Sequence, residues 1–145
     1  MVTGLYKSFC AKDKRLVGGM TLVFAIRGAT TVENDCKEEI VRCTQELLNE
    51  IMLRNNLKKE EIVFILFTMT KDLKSAFPAY AARLMGFVDI PLICAQELDI
   101  EGALSRCIRL LMLIQRDNSF TPKHVYLKEA TKLREDLTNE KGEDL

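Results

Sequence analysis

Arg109 lies in the run Cys107-Ile108-Arg109-Leu110-Leu111-Met112-Leu113-Ile114, where every other residue is apolar. A segment apolar on both alternating faces reads as a strand covered on each side, so a guanidinium there must be matched by an anion. Glu97, after the apolar stretch that holds Leu92 and Cys94, is the candidate partner within the chain; a ligand is the other source. Further polar residues fall at strand and helix edges: Arg27, Arg83, Tyr126 and Arg134. For an arginine outside a buried run, pairing with a surface carboxylate is the simpler reading, because exposed pairs are common and weak. Arg109 is the exception, with an anion-facing functional role of equal standing to a structural one.

Covalent and metal chemistry find little support. The chain has no G-x-S-x-G, no G-x-x-x-x-G-K-[ST] and no G-x-G-x-x-G. A Ser-His-Asp or Cys-His mechanism would need the single His124, which sits in the alternating segment KHVYL and reads as a packed structural residue. Five cysteines, at 10, 36, 43, 94 and 107, include no C-x-x-C pair, and His124 has no companion imidazole. Neither a disulfide scaffold nor a zinc site follows. Free thiols in a reducing cytoplasm are expected, with Cys36 and Cys43, two helical turns apart, facing the core together.

The elements that must position these residues can be read from periodicity. Thr21 to Ile26 is a short strand, and Arg27-Gly28-Ala29-Thr30-Thr31 reads as a polar turn after it. Asp35 with Glu38 three residues on predicts a helix N-cap, and Cys36, Ile40, Cys43, Leu47, Leu48 and Ile51 recur at helical spacing toward Asn55. Glu61 to Thr70 predicts a buried strand. Ser75 to Gly86 predicts a second helix, with Pro78 near its start and Gly86 past its end. Ile90 to Ala95, Cys107 to Gln115 and Lys123 to Leu127 complete five strands. The fold class expected is α+β, a mixed five-stranded sheet with two main helices. Two helices cannot cover both faces of five strands, so an oligomer is expected to shield the rest, and a subunit interface is a common place for a small-molecule pocket.

The 145 residues bound the chain to one domain, with 21 basic and 21 acidic residues giving a formal net charge of zero. That balance argues against a nucleic-acid binder and against a polybasic membrane anchor. Charged residues also interrupt every apolar stretch before the roughly 20 residues of a membrane span. Residues 1–19 show no sustained period and no apolar h-region, which predicts a loosely ordered extension or an upstream start before Met20. The domain is expected over 20–137, with 138–145 a flexible polar tail.

Four stretches, IRGATTVENDCKEEI, LKSAFPAYAARLMG, PLICAQELDIEGALSRCIRLLM and KHVYLKEATKLREDL, together resemble the small monofunctional homotrimeric chorismate mutases of the pseudo-α/β-barrel, Bacillus-like class. The likeness runs from about Met20 to Leu137, nearly without gaps. The R-G-A-T-T segment, C-x-Q-E-x-D with the following C-I-R, and H-V-Y-L are its most specific parts.

The resemblance implies a trimer that forms a pseudo-α/β barrel, with sites between subunits, chorismate as substrate, and neither cofactor nor metal. It implies that Arg27, Glu97, Arg109 and Tyr126 line one wall, with Leu133 and Arg134 closing over the ligand. Phe77, Ala79, Arg83, Leu92 and Cys94 would come from the neighbouring subunit. Tyr80 stands where the family often has lysine and Ile93 where it often has threonine, so peripheral polar contacts are expected to be weaker. The implied reaction converts chorismate to prephenate in aromatic amino acid biosynthesis, an intramolecular Claisen-type rearrangement needing no nucleophile or general base. Two rivals remain: a non-catalytic trimeric small-carboxylate binding module, and an enamine or imine deaminase of similar trimeric barrel fold. The pairing of Glu97 with Arg109 discriminates, because a carboxylate sensor has no evident need for it.

Overall fold

The computed structural model describes residues 21–117 and 119–138; the expected extension over 1–19, Cys10 and the alternative start at Met20 lie outside them, as does the tail expected over 138–145 apart from Thr138, which ends a short helix. Five strands, β1 (Leu22–Thr31), β2 (Ile62–Met69), β3 (Leu92–Gln96), β4 (Cys107–Arg116) and β5 (Val125–Tyr126), form one sheet in the order β3-β2-β4-β1-β5. Strand β4 runs antiparallel to both β1 and β2, while β3 is parallel to β2 and β5 to β1. With α1 (Lys37–Arg54), α2 (Pro78–Leu84) and α3 (Glu135–Thr138), this is the expected α+β class with a mixed sheet. Among the described residues no helix is long and apolar enough to cross a membrane.

Helix α1 buries Ile40, Cys43, Thr44, Leu47, Leu48 and Ile51 as one stripe against the sheet. Its N-cap is Cys36, without a side-chain bond. The Asp35 carboxylate, expected to cap, instead accepts the Lys74 and Ser75 backbone N–H groups at 3.0 and 3.1 Å, tying α1 to the approach to α2. Cys36 is only half-buried, so Cys43 alone of that pair reaches the core. Helix α2 begins at Pro78, later than expected, because Phe77 is still extended. It stops before Gly86, whose φ of 87° suits glycine.

The R-G-A-T-T segment is not a turn. Strand β1 continues through it, paired with β4 from Arg27↔Leu111 to Thr31↔Cys107. Alternation sends Ile26, Gly28 and Thr30 toward α1 and Arg27 and Ala29 to the opposite face. Glycine is needed at 28 because a Cβ there would lie 2.7 Å from Ile51 Cδ1 and 3.3 Å from Leu47 Cδ1. A polar sequence thus hides a strand whose small residue admits the helix.

Strand β4 also departs from expectation. Ile108, Leu110, Met112 and Ile114 are buried beneath the helices, but Arg109 and Gln115 on the other face are exposed, and Leu111 and Leu113 are half-buried. Helices α1 and α2 lie on one side, so among the described residues the other face is covered only in part. Val23 and Ile93 on the open face are 53% and 63% exposed. Near Ala29 and Cys107 that face is covered by the 3-10 segment Lys128–Arg134, through Ala130 and Leu133.

Strand β5 is two residues long rather than five. The buried Asn55 side chain, at the end of α1, takes the Lys123 N–H at 2.7 Å and donates to the Lys123 carbonyl at 2.9 Å. The backbone there is bonded to the helix end instead of to β1.

Candidate active site

On the open face, β2, β4 and the residue after β3 place three side chains together. Thr68 on β2 is opposite Arg109 on β4, and Glu97 follows β3, its backbone N–H donating to the Met69 carbonyl at 2.8 Å. Arg109 Nε donates to Glu97 Oε2 at 2.7 Å, and Arg109 Nη2 donates to Glu97 Oε1, so the pair is bidentate. Thr68 Oγ1 donates to the same Glu97 Oε2 at 2.7 Å. The Arg109 hydrogen bonds, with that of Thr68, hold the Glu97 carboxyl below its ordinary pKa, against the opposing effect of burial. The same pairing raises the Arg109 pKa. The anion inferred for Arg109 is therefore within the chain, but the guanidinium is not buried: its side chain is 48% exposed, against 16% for Glu97. Its bonds use Nε and Nη2, which leaves the Nη1 edge for a ligand.

Across β4, Arg27 on β1 donates from Nε and Nη2 to the Tyr126 hydroxyl at 3.2 and 2.9 Å. Arg134, at the end of the 3-10 segment, is paired with Asp136, whose hydrogen bonds raise its pKa. Arg27, Glu97, Arg109, Tyr126, Leu133 and Arg134 all line one pocket of about 380 Å³. Its lining holds three guanidiniums and one carboxylate, and even with Asp136 beside Arg134 the local balance stays positive, which favours an anionic ligand. The nearby Cys107 thiol is pushed up to about 11 by burial, which keeps it protonated and a poor nucleophile at neutral pH.

The remaining expected residues are elsewhere. Phe77, Ala79, Arg83, Leu92 and Cys94 sit on α2, β3 and the loop before α2, and none of them lines that pocket. Phe77 and Cys94 border a separate concavity, and Phe77 is 68% exposed. The Ala79 backbone N–H is bonded to the Cys94 thiol and the Arg83 charge acts on it, both opposing burial, which raises its pKa. One chain holds these as a second cluster and does not bring them to the first. Tyr80, near that cluster, carries the Lys37 ammonium 4.8 Å from its ring centroid.

Thr68 is the polar lining residue that sequence reading missed, with Leu66 and Leu111 as apolar neighbours. Its signal was the period of two in FILFTM, which puts Phe64, Leu66 and Thr68 on one face. Among the described residues no group of three or more His, Cys, Asp or Glu side chains lies close enough to hold a metal ion.

Residues 23–137 match the family model for chorismate mutase type I. The chain is 43% identical over 126 residues to the chorismate mutase AroH of Bacillus subtilis (strain 168), covering 86% of this chain and 99% of that protein. It is 46% identical over 121 residues to the AroH of Thermus thermophilus, covering 80% and 97%. The solved chorismate mutase from Clostridium thermocellum superposes with a TM-score of 0.73 at 47% identity, over 75% of this chain and 98% of that one. With a match across nearly the whole described chain and relatives at 43% and 46% identity, the chain belongs to the type I chorismate mutase family.

Proposed function

We propose that chorismate is rearranged to prephenate in the pocket between Arg27, Glu97, Arg109 and Tyr126. The observation that carries this reading is the bidentate Arg109–Glu97 pair, braced by Thr68, in a pocket lined by two further guanidiniums. In the reaction a C–O bond breaks as a C–C bond forms within one molecule, so the protein needs only to select the compact conformer and meet the charge that develops. Negative charge builds on the ether oxygen in the transition state. Arg109 is the group we assign to it, through the guanidinium edge that Glu97 leaves free. Glu97 orients Arg109 and accepts a hydrogen bond from the ring hydroxyl. Arg27, held by Tyr126, takes a carboxylate, and Leu133 and Arg134 close over the substrate.

The half-open sheet face and the separate cluster on α2 and β3 support a homotrimer. In it, Phe77, Ala79, Arg83, Leu92 and Cys94 of one subunit would meet the pocket of the next. The domain would span 20–137, and the free thiols at Cys36, Cys43, Cys94 and Cys107 fit the cytoplasm. The test is to mix purified protein with chorismate, follow loss of its absorbance and identify prephenate by NMR. No prephenate from a folded protein would refute the reading. Sedimentation equilibrium gives the assembly separately, and an active monomer at micromolar concentration would refute the trimer.

A further inference from the structure

The single histidine, given only a packing role by its sequence context, makes a bond that bears on the pocket. His124 Nδ1 accepts the backbone N–H of Arg27 at 3.0 Å. Its position explains why an imidazole is there. Strands β1 and β5 are parallel, in the register Gly28↔Val125 and Ala29↔Tyr126, and Leu127 N–H donates to the Ala29 carbonyl at 2.9 Å. Continued one step toward the start of β5, that ladder would offer Arg27 the Lys123 carbonyl. The Lys123 carbonyl is instead bonded to Asn55 Nδ2 at 2.9 Å. The His124 side chain occupies the missing rung, at the residue whose guanidinium reaches into the pocket.

Accepting an N–H at Nδ1 requires that nitrogen to be unprotonated, so the imidazole is neutral with its proton on Nε2. The charged groups facing it are Arg27 on β1 and Arg134 on the 3-10 segment, both cationic. Burial first, then these two arginines, lowers the His124 pKa below its ordinary 6.5. Protonation would set one N–H against another and add a third positive charge beside two guanidiniums.

We propose that His124 is a positioning residue for chorismate turnover, fixing Arg27 through an imidazole-to-backbone hydrogen bond that replaces a strand rung. This rests on the reading of the pocket as the chorismate site. Since the folded protein prefers the neutral imidazole, the contribution is complete above pH 6.5 and is lost as pH falls through the lowered value. Both substrate carboxylates stay ionised across that window, so they do not produce the same change.

Three proteins separate the possibilities: wild type, His124→Asn and His124→Leu. Asparagine can offer Oδ1 near the place of Nδ1 but does not titrate; leucine fills similar space and accepts nothing. For each folded protein, kcat and KM for chorismate are measured at pH values on both sides of 6.5. The Arg27 amide resonance is followed by NMR over the same range without substrate.

We expect wild type to lose kcat/KM on the acid side while its Arg27 amide shifts in step. His124→Leu should lie roughly tenfold or more below wild type above pH 6.5, the scale of a displaced binding group, with the gap closing on the acid side as wild type loses the same bond. His124→Asn should recover most of that loss and show neither the acid limb nor the titrating amide. An acid limb retained in His124→Asn, or full kcat/KM in folded His124→Leu, would overturn the role of His124 and leave the functional reading intact. A folded wild type that makes no prephenate would overturn both.

Discussion

Replacing Arg109 by lysine keeps the charge and removes the fork, and the structure says what that should cost. In the native side chain Nε and Nη2 are spent on Glu97, and Nη1 on the other edge remains for the ether oxygen. An ammonium is a single centre on a flexible stem, so it either stays with Glu97 or leaves it for the ligand. One charge-assisted donor is thereby lost in the transition state, worth about 3 kcal/mol, which is on the order of a hundredfold in kcat. The stability change should be small. With Arg109 48% exposed, the pair belongs with solvent-screened ion pairs and contributes about 1 kcal/mol or less. Thermal unfolding should then move by only a few degrees, roughly 4 °C at most. The assay is kcat from chorismate consumption and Tm on the same Arg109→Lys preparation, after assembly has been compared with wild type. A variant with kcat near wild type and a clearly lower Tm would refute the catalytic role and leave Arg109 as a structural partner of Glu97.

Thr68→Val should remove one of the bonds that keep Glu97 ionised, so the Glu97 pKa rises toward 4.5. Losing a hydrogen bond to a charged group costs about 1.5 kcal/mol, and kcat/KM should fall by up to about tenfold; an unchanged value would show that Thr68 does not brace the pair. Wild-type stability from Glu97 should be present above pH 4.5 and lost as pH falls through its lowered pKa, a loss that denaturant titration should find reduced in Glu97→Gln. Gly28→Ala should destabilise the fold by about 1 to 3 kcal/mol, because its Cβ would approach Ile51 Cδ1 to 2.7 Å; a Tm equal to wild type would mean that α1 shifts freely. A chain begun at Met20 should fold and turn over chorismate like the full chain, and loss of most activity would make the preceding segment structural.

The long amphipathic helix and β2 were legible because each carries a sustained period, of 3.6 in α1 and of nearly unbroken β-branched and aromatic residues in β2. Glu97 and Arg109 were legible as partners because charge inside an apolar run demands one. The segment after Ile26 was misread because R-G-A-T-T has turn composition, while its strand character depends on pairing with β4, eighty residues away in the chain. Asp35 was misread for a related reason: a cap is local, but its carboxylate bonds to Lys74 and Ser75. The exposure of Arg109 was hidden because Leu111 and Leu113 make the open face of β4 as apolar as the buried one. Thr68 gave too little signal alone, since a threonine in a strand is ordinary until the residue beside it is known to be Arg109.

The Thr68 and Arg109 side chains are opposite one another on neighbouring strands and Glu97 follows the end of the next strand, and that placement constrains how the chain can misassemble. A one-residue slip of β4 against β2 would turn Arg109 beneath the helices, where Ile108 and Leu110 now lie, and separate it from its carboxylate. It would also turn Ile108, Leu110, Met112 and Ile114 to the open face. A strand of aliphatic residues alone, with both faces similarly apolar, would distinguish the two registers poorly. One arginine makes the shifted arrangement an unpaired buried cation, costing several kcal/mol. The residue assigned to the chemistry therefore also acts as a proofreading mark for sheet assembly: replacing it with leucine would lower the penalty on the wrong register to that of burying Gln115, so refolding yield should fall even where the finished fold tolerates the change.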